Sequence, residues 1–87
     1  MTLHEQIDAV VHRFVAGRLA AAGQQASPDL DLFEAGVLDS VALVELITAV
    51  EQATSLELDF IEVDPDELST HPRLVAELAR VLELELE

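Results

Sequence analysis

The sequence has no cysteine, lysine, tryptophan or tyrosine, and only three glycines and three prolines among 87 residues. Without cysteine there is no disulfide staple, no thiol nucleophile and no Cys-ligated metal. The only cations besides histidine are four arginines, set against 18 acids for a formal net charge of −14. A field of that sign repels phosphate backbones, so neither nucleic acid nor an anionic membrane surface is an expected partner. No run approaches the ~18 apolar residues of a membrane span. The start, MTLHEQIDAV, lacks the basic leader and unbroken apolar run of a signal peptide. These absences point to a soluble cytoplasmic protein.

What is present is mostly apolar. Hydrophobic residues make up 51%, and the aromatics are three Phe, too much apolar surface for a disordered polar chain. The length suits a single domain over residues 1–87. A domain this small buries only about 60–65% of the surface its unfolded chain exposes, so its core must be simple and well patterned. The charge is uneven. Up to Pro28 the acids Glu5 and Asp8 balance Arg13 and Arg18, whereas Asp29 to Glu67 holds twelve acids and no base. That stretch reads either as a solvated surface or as a docking face that steers basic partner enzymes.

The spacing predicts an all-α bundle without repeats. Leu3, Ile7, Val10, Val11, Phe14, Val15 and Leu19 mark a first helix over residues 3–22, with Thr2 as its cap and Gly23 as its end. A loop of 16 residues follows, 24–39, pinned to the core by Leu30, Leu32, Phe33, Val37 and Leu38 and mobile over Gln24–Pro28. Loops of that length often carry function. A second helix over 40–53 presents Leu43, Val44, Ile47 and Val50 on one face, with Glu45 and Glu51 elsewhere on its surface. The alternation of LELDFIEV (56–63) suits a strand, but a lone strand has nothing to pair with, so an extended, half-buried connector is expected. Asp64-Pro65-Asp66-Glu67 looks like a capped helix start, opening a short third helix that ends near Ser69. Thr70-His71-Pro72 begins the last helix, striped by Leu74, Val75, Leu78, Val81 and Leu82. The regular ending at 83–87 reads as a frayed tail or a cloning remnant. Three main helices plus one short one make a four-helix bundle.

The loop ends in Leu32-Phe33-Glu34-Ala35-Gly36-Val37-Leu38-Asp39-Ser40-Val41. Gly36 permits a tight turn with positive φ, and Phe33 and Leu38 can anchor that turn. Asp39 and Ser40 fall at the N-terminus of the second helix, where free amides and the positive end of the dipole favour an anion. A serine hydroxyl held there suits a phosphodiester. An Asp-Ser pair alone is far more often a plain helix cap.

The wider pattern resembles a known family. Phe-x-x-Gly-x-x-Asp-Ser-aliphatic, followed by an amphipathic helix containing Glu45-Leu46, looks like the phosphopantetheine attachment site of acyl and peptidyl carrier proteins. The resemblance covers nearly the whole chain. It implies that Ser40 receives 4′-phosphopantetheine from coenzyme A through a separate phosphopantetheinyl transferase. It also implies that Asp39 helps position the transferase and its Mg²⁺ in a transient contact. The arm's thiol would hold an acyl or aminoacyl group as a thioester, loaded by an adenylating ligase or acyltransferase and passed to a downstream acceptor enzyme. The protein itself would catalyse nothing. Val37, Leu38, Val41, Leu43, Val44, Glu45 and Glu51 would form the docking surface.

The segment DLFEAGVLDSVALVELI looks like that of D-alanyl carrier proteins and of stand-alone aminoacyl carriers. Ala42 and Thr54 depart from fatty-acid carriers, which usually have an acid and often an aromatic there. Val41, shorter and stiffer than the usual Leu or Met, alters which partners fit. Two destinations suit such a carrier: a specialised natural-product-type pathway, which is the favoured one, and D-alanylation of the cell envelope.

Rival readings are weaker. His4 and His12 lie about 80° apart on a helix, missing the i, i+4 pairing of a zinc site. With His71 they read as surface or capping residues, so no metal is expected. Asp64, Asp66 and Glu67 lack the glycine-containing loop of a calcium hand. Ser40 has no G-x-S-x-G context and no nearby histidine, which excludes a hydrolase nucleophile. The remaining alternative is an acidic helical interaction protein with Ser40 merely capping a helix. A monomer is expected from the self-repulsion and the absence of a heptad seam.

Overall fold

The computed structural model describes residues 2–25 and 27–85. Helix α1 (Leu3–Ala22) has the predicted bounds because both ends are chemically closed. Thr2 Oγ1 accepts from the Glu5 amide while the Glu5 carboxylate reaches back to Thr2, a capping box. At the other end Gly23 adopts φ 71°. Its amide donates to Ala20, and that of Gln24 donates to Leu19. This closure satisfies two orphan carbonyls with the one residue that takes a left-handed φ without penalty. Ile7, Val11, Val15 and Leu19 form the buried row, one residue every four along a single face.

Helix α2 (Ser40–Thr54) runs one residue beyond the expected end and stops at Ser55, left-handed at φ 60°. Its inward face corrects the sequence reading. Ala42, Leu46, Ile47 and Val50 are buried and Leu43 is half-buried, whereas Val44 is 52% exposed. The helix is apolar around most of its circumference between Val41 and Val50, so periodicity alone allows two stripes. Packing against α1 selects the row through Ala42, Leu46 and Val50.

Residues 56–63 are neither strand nor uniformly extended. A 3₁₀ turn forms at Phe60–Glu62, opened by the Asp59 side chain accepting from the Ile61 amide. Leu58 is buried and Leu56 and Val63 are half-buried, but Phe60 and Ile61 point outward. The expected helix start at Asp64 is real but short: Asp64 caps a single 3₁₀ turn, Pro65–Glu67, with Pro65 first, and buried Leu68 closes it.

Helix α3 (His71–Glu85) buries Leu74, Val75, Leu78, Val81 and Leu82 as predicted. Glu83–Glu85 continue the helix; Leu86 and Glu87, the rest of the expected tail, lie outside the described residues. The three long helices, with Leu32, Val37, Leu38, Leu58 and Leu68, enclose one core. The fold is an all-α bundle in which two short 3₁₀ turns stand for the fourth helix. Among the described residues no helix is long and apolar enough to cross a membrane.

Candidate functional site

The site is built by a single helical turn set between α1 and α2. Asp31 opens it, its carboxylate accepting from the Phe33 and Glu34 amides at 3.0 Å each. Ala35 N–H donates to the Asp31 carbonyl at 2.9 Å. Gly36, at φ 77°, closes the turn. Its amide donates to Phe33 and that of Val37 to Leu32, the same closure that ends α1. Leu32 N–H donates to the Ser69 carbonyl at 2.7 Å, tying the turn to the entrance of α3. Leu32, Val37 and Leu38 are buried. Phe33 is not the anchor the sequence suggested, since 38% of it is exposed. Within the segment expected to be mobile, Gln24–Pro28, Ala26 lies outside the described residues.

The chain therefore reaches Asp39 already fixed. Asp39 is the cap of α2: its Oδ1 accepts from the Ala42 amide at 2.8 Å and its carbonyl from Leu43 at 2.9 Å. Ser40 is the first residue of the helix and is exposed. Among the described residues its hydroxyl has no hydrogen-bond partner, and the amides of Ser40 and Val41 donate to nothing. The alternative in which Ser40 caps the helix does not fit this geometry, because Asp39 does the capping. The Asp39 carboxylate takes up the Ala42 amide, and the Ser40 and Val41 amides at the positive end of the helix stay open to an acceptor. An exposed, unengaged hydroxyl beside free amides fits a phosphodiester-linked group.

The expected docking residues separate. Val41 is 70% exposed, and Val44 and Glu45 also face solvent. Val37 and Leu38 are buried in the core, so their side chains are withdrawn from any partner surface. Leu43 is half-buried. Glu51 has a structural task, its Oε2 accepting from the Leu58 amide at 2.8 Å. Phe60 and Ile61, the latter 90% exposed, were not singled out as surface residues. Their signal was two adjacent bulky apolar residues between Asp59 and Glu62 without a helical repeat.

His4 and His12 are exposed, whereas His71, the first residue of α3, is half-buried. His71 Nε2 donates to Asp8 Oδ1 at 3.0 Å, and the His12 ring lies 6.2 Å from that of His71. Among the described residues no group of three or more His, Asp or Glu could hold a metal ion.

A buried carboxylate holds the connector. Glu77, 6% exposed, bonds Arg80 through both oxygens, at 2.8 and 2.7 Å, and accepts from the Asp64 amide at 2.7 Å. Arg80 also donates to the Glu62 carbonyl. The Arg80 hydrogen bond lowers the Glu77 pKa, opposed by burial and helped by the Asp64 amide. Glu77 in turn raises that of Arg80.

Comparison with known proteins agrees with this geometry. The family model described as "Phosphopantetheine attachment site" matches residues 9–78, a span that contains Ser40. The D-alanyl carrier protein of Bacillus velezensis is 36% identical over 55 residues, covering 63% of this chain and 70% of the relative. That of Bacillus licheniformis is 36% identical over 52 residues, covering 60% and 67%. The D-alanyl carrier protein of Staphylococcus saprophyticus is 35% identical over a stretch of the same length and coverage. The exposed serine at the head of α2 thus sits in a chain that belongs to the phosphopantetheine attachment family, a non-catalytic carrier whose prosthetic group is 4′-phosphopantetheine.

Proposed function

We propose that Ser40 is the attachment residue, and that the protein carries an aminoacyl group between enzymes of a specialised biosynthetic pathway. The observation that carries this reading is the division of labour at the head of α2. Asp39 caps the helix, leaving the Ser40 hydroxyl exposed and unengaged. When bound, the phosphopantetheine arm supplies a terminal thiol for a thioester. Ser40 Oγ provides the phosphodiester link, and the free first-turn amides and helix dipole favour its negative charge. Asp39, held by its bond from the Ala42 amide, would help the transferase position Mg²⁺ in passing. Val41, Val44 and Glu45 form the exposed face of α2 that partners read, with half-buried Leu43 beneath it.

The aminoacyl cargo is favoured because several relatives are named D-alanyl carrier proteins. An adenylating ligase or acyltransferase loads the group and an acceptor enzyme removes it. The whole of 1–87 acts as one carrier unit. A net charge of −14 favours a monomer, and coenzyme A as the donor favours the cytoplasm.

The test is intact mass before and after incubation with coenzyme A, Mg²⁺ and a broad-specificity phosphopantetheinyl transferase. The wild type is expected to gain one phosphopantetheine and Ser40→Ala none. Uptake by folded Ser40→Ala would remove the assignment.

A further inference from the structure

The turn that delivers Ser40 closes on its own carbonyls at Asp31, Leu32 and Phe33. The carbonyls of Ala35 and Val37 lie outside that closure, and both are taken by side chains of α1 and its cap. Gln24 Nε2 donates to Ala35 at 3.0 Å, and Arg18 Nε donates to Val37. Only Leu38 separates Val37 from the cap residue Asp39. Arg18 is half-buried, and its guanidinium carbon stands 5.6 Å from the Phe14 ring centroid, so the donor is held from two sides. The chain has 18 acids, yet among the described residues Arg18 forms an ion pair with none of them. A cation in so acidic a protein is committed to one backbone carbonyl, and that carbonyl belongs to the segment entering α2.

We propose that Arg18, assisted by Gln24, is a positioning residue for Ser40, strapping the turn at Ala35–Val37 to α1 so that the hydroxyl is presented in one geometry. The inference rests on Ser40 being the attachment residue. Without the strap, Leu32, Val37 and Leu38 still bury the turn, so the fold survives. The path from Gly36 to Ser40 then samples several orientations, and the transferase must select the competent one. Such selection weakens apparent affinity by the fraction that is competent. The effect should therefore fall on KM for the carrier and spare kcat.

The experiment measures steady-state phosphopantetheine transfer with the apo carrier as varied substrate, alongside amide exchange over Val37–Val41. The variants are Arg18→Met, Arg18→Lys and Gln24→Ala. Leu3→Ala, at the far end of α1, serves as a control for general loss of stability. Loss of one charged hydrogen bond predicts about a tenfold rise in KM for Arg18→Met and about threefold for Gln24→Ala, with kcat within about twofold. Arg18→Lys should recover most of the loss, since an ammonium still donates to one carbonyl. Exchange at Leu38–Ser40 should accelerate in Arg18→Met and not in Leu3→Ala. KM and exchange in Arg18→Met indistinguishable from Leu3→Ala would overturn the role of Arg18 while leaving Ser40 in place. A folded wild type that takes no phosphopantetheine would remove both together.

Discussion

Two irregular segments link the helices, and they are held by different balances of apolar burial and charge. Asp31–Leu38 is fastened by three buried apolar side chains and by backbone closure around Gly36. Residues 56–68 bury Leu58 and Leu68 but hang at their middle on charge, through the Asp64 amide and Glu62 carbonyl held by Glu77 and Arg80. The first segment leads into Ser40 and shows little apolar surface beyond Phe33. The second turns Phe60 and Ile61 outward. Apolar burial is indifferent to pH, whereas a buried carboxylate is not. The segment that leads into α2 thus rests mainly on apolar burial, and the connector on a buried ion pair.

The largest expected effect is at the base of the first segment. Leu32→Ala removes a fully buried side chain and should cost about 2–5 kcal/mol in urea unfolding. The loss should be similar at neutral and acid pH. A marked pH dependence would break the contrast.

Glu77→Gln comes next. It weakens a charged hydrogen bond to half-exposed Arg80, for a loss of about 1–2 kcal/mol at pH 7. The folded pKa of Glu77 lies below its ordinary value of 4.5. Its ionised form is therefore favoured by folding, and its contribution is complete above that ordinary value. The contribution is lost as pH falls through the lower folded value. The gap between wild type and Glu77→Gln, followed by denaturant midpoints, should hold constant above about pH 5 and close under acid. A gap that widens under acid would invert the sign and refute the account.

The smallest effect sharpens the comparison at the site itself. Asp39→Ala should lose about 1 kcal/mol as the cap is removed, and Ser40→Ala should stay within about 0.5 kcal/mol of wild type. Equal losses in thermal unfolding would mean that Ser40 shares the capping, contrary to the geometry.

Much of this was legible in the residues. The bounds of α1 could be read because Thr2, Glu5 and Gly23 are local signals acting within four residues of each end. The stripe of α3 was equally clear, since its polar residues leave only one apolar row. Helix α2 was ambiguous for the opposite reason: Val41 and Val44 are as apolar as Leu46, and only the neighbouring helices decide which face is covered. Val37 and Leu38 read as docking residues because their proximity to Ser40 is visible in sequence and their burial is not. The strap from Arg18, 19 residues from its acceptor, and the Asp8–His71 pair, 63 residues apart, are products of tertiary packing. The identity of the cap was also hidden, because Asp and Ser are equally good caps and only backbone geometry assigns the position to Asp39.

The central claim is that Ser40 is released from structural duty and carries the prosthetic group. Peptide-level mass spectrometry after phosphopantetheinylation tests it most directly. The account predicts a single phosphopantetheine, on the fragment containing Ser40, in a protein whose melting is unchanged by Ser40→Ala. Modification at Ser27, Ser55 or Ser69, or none at all on folded apo protein, would contradict it.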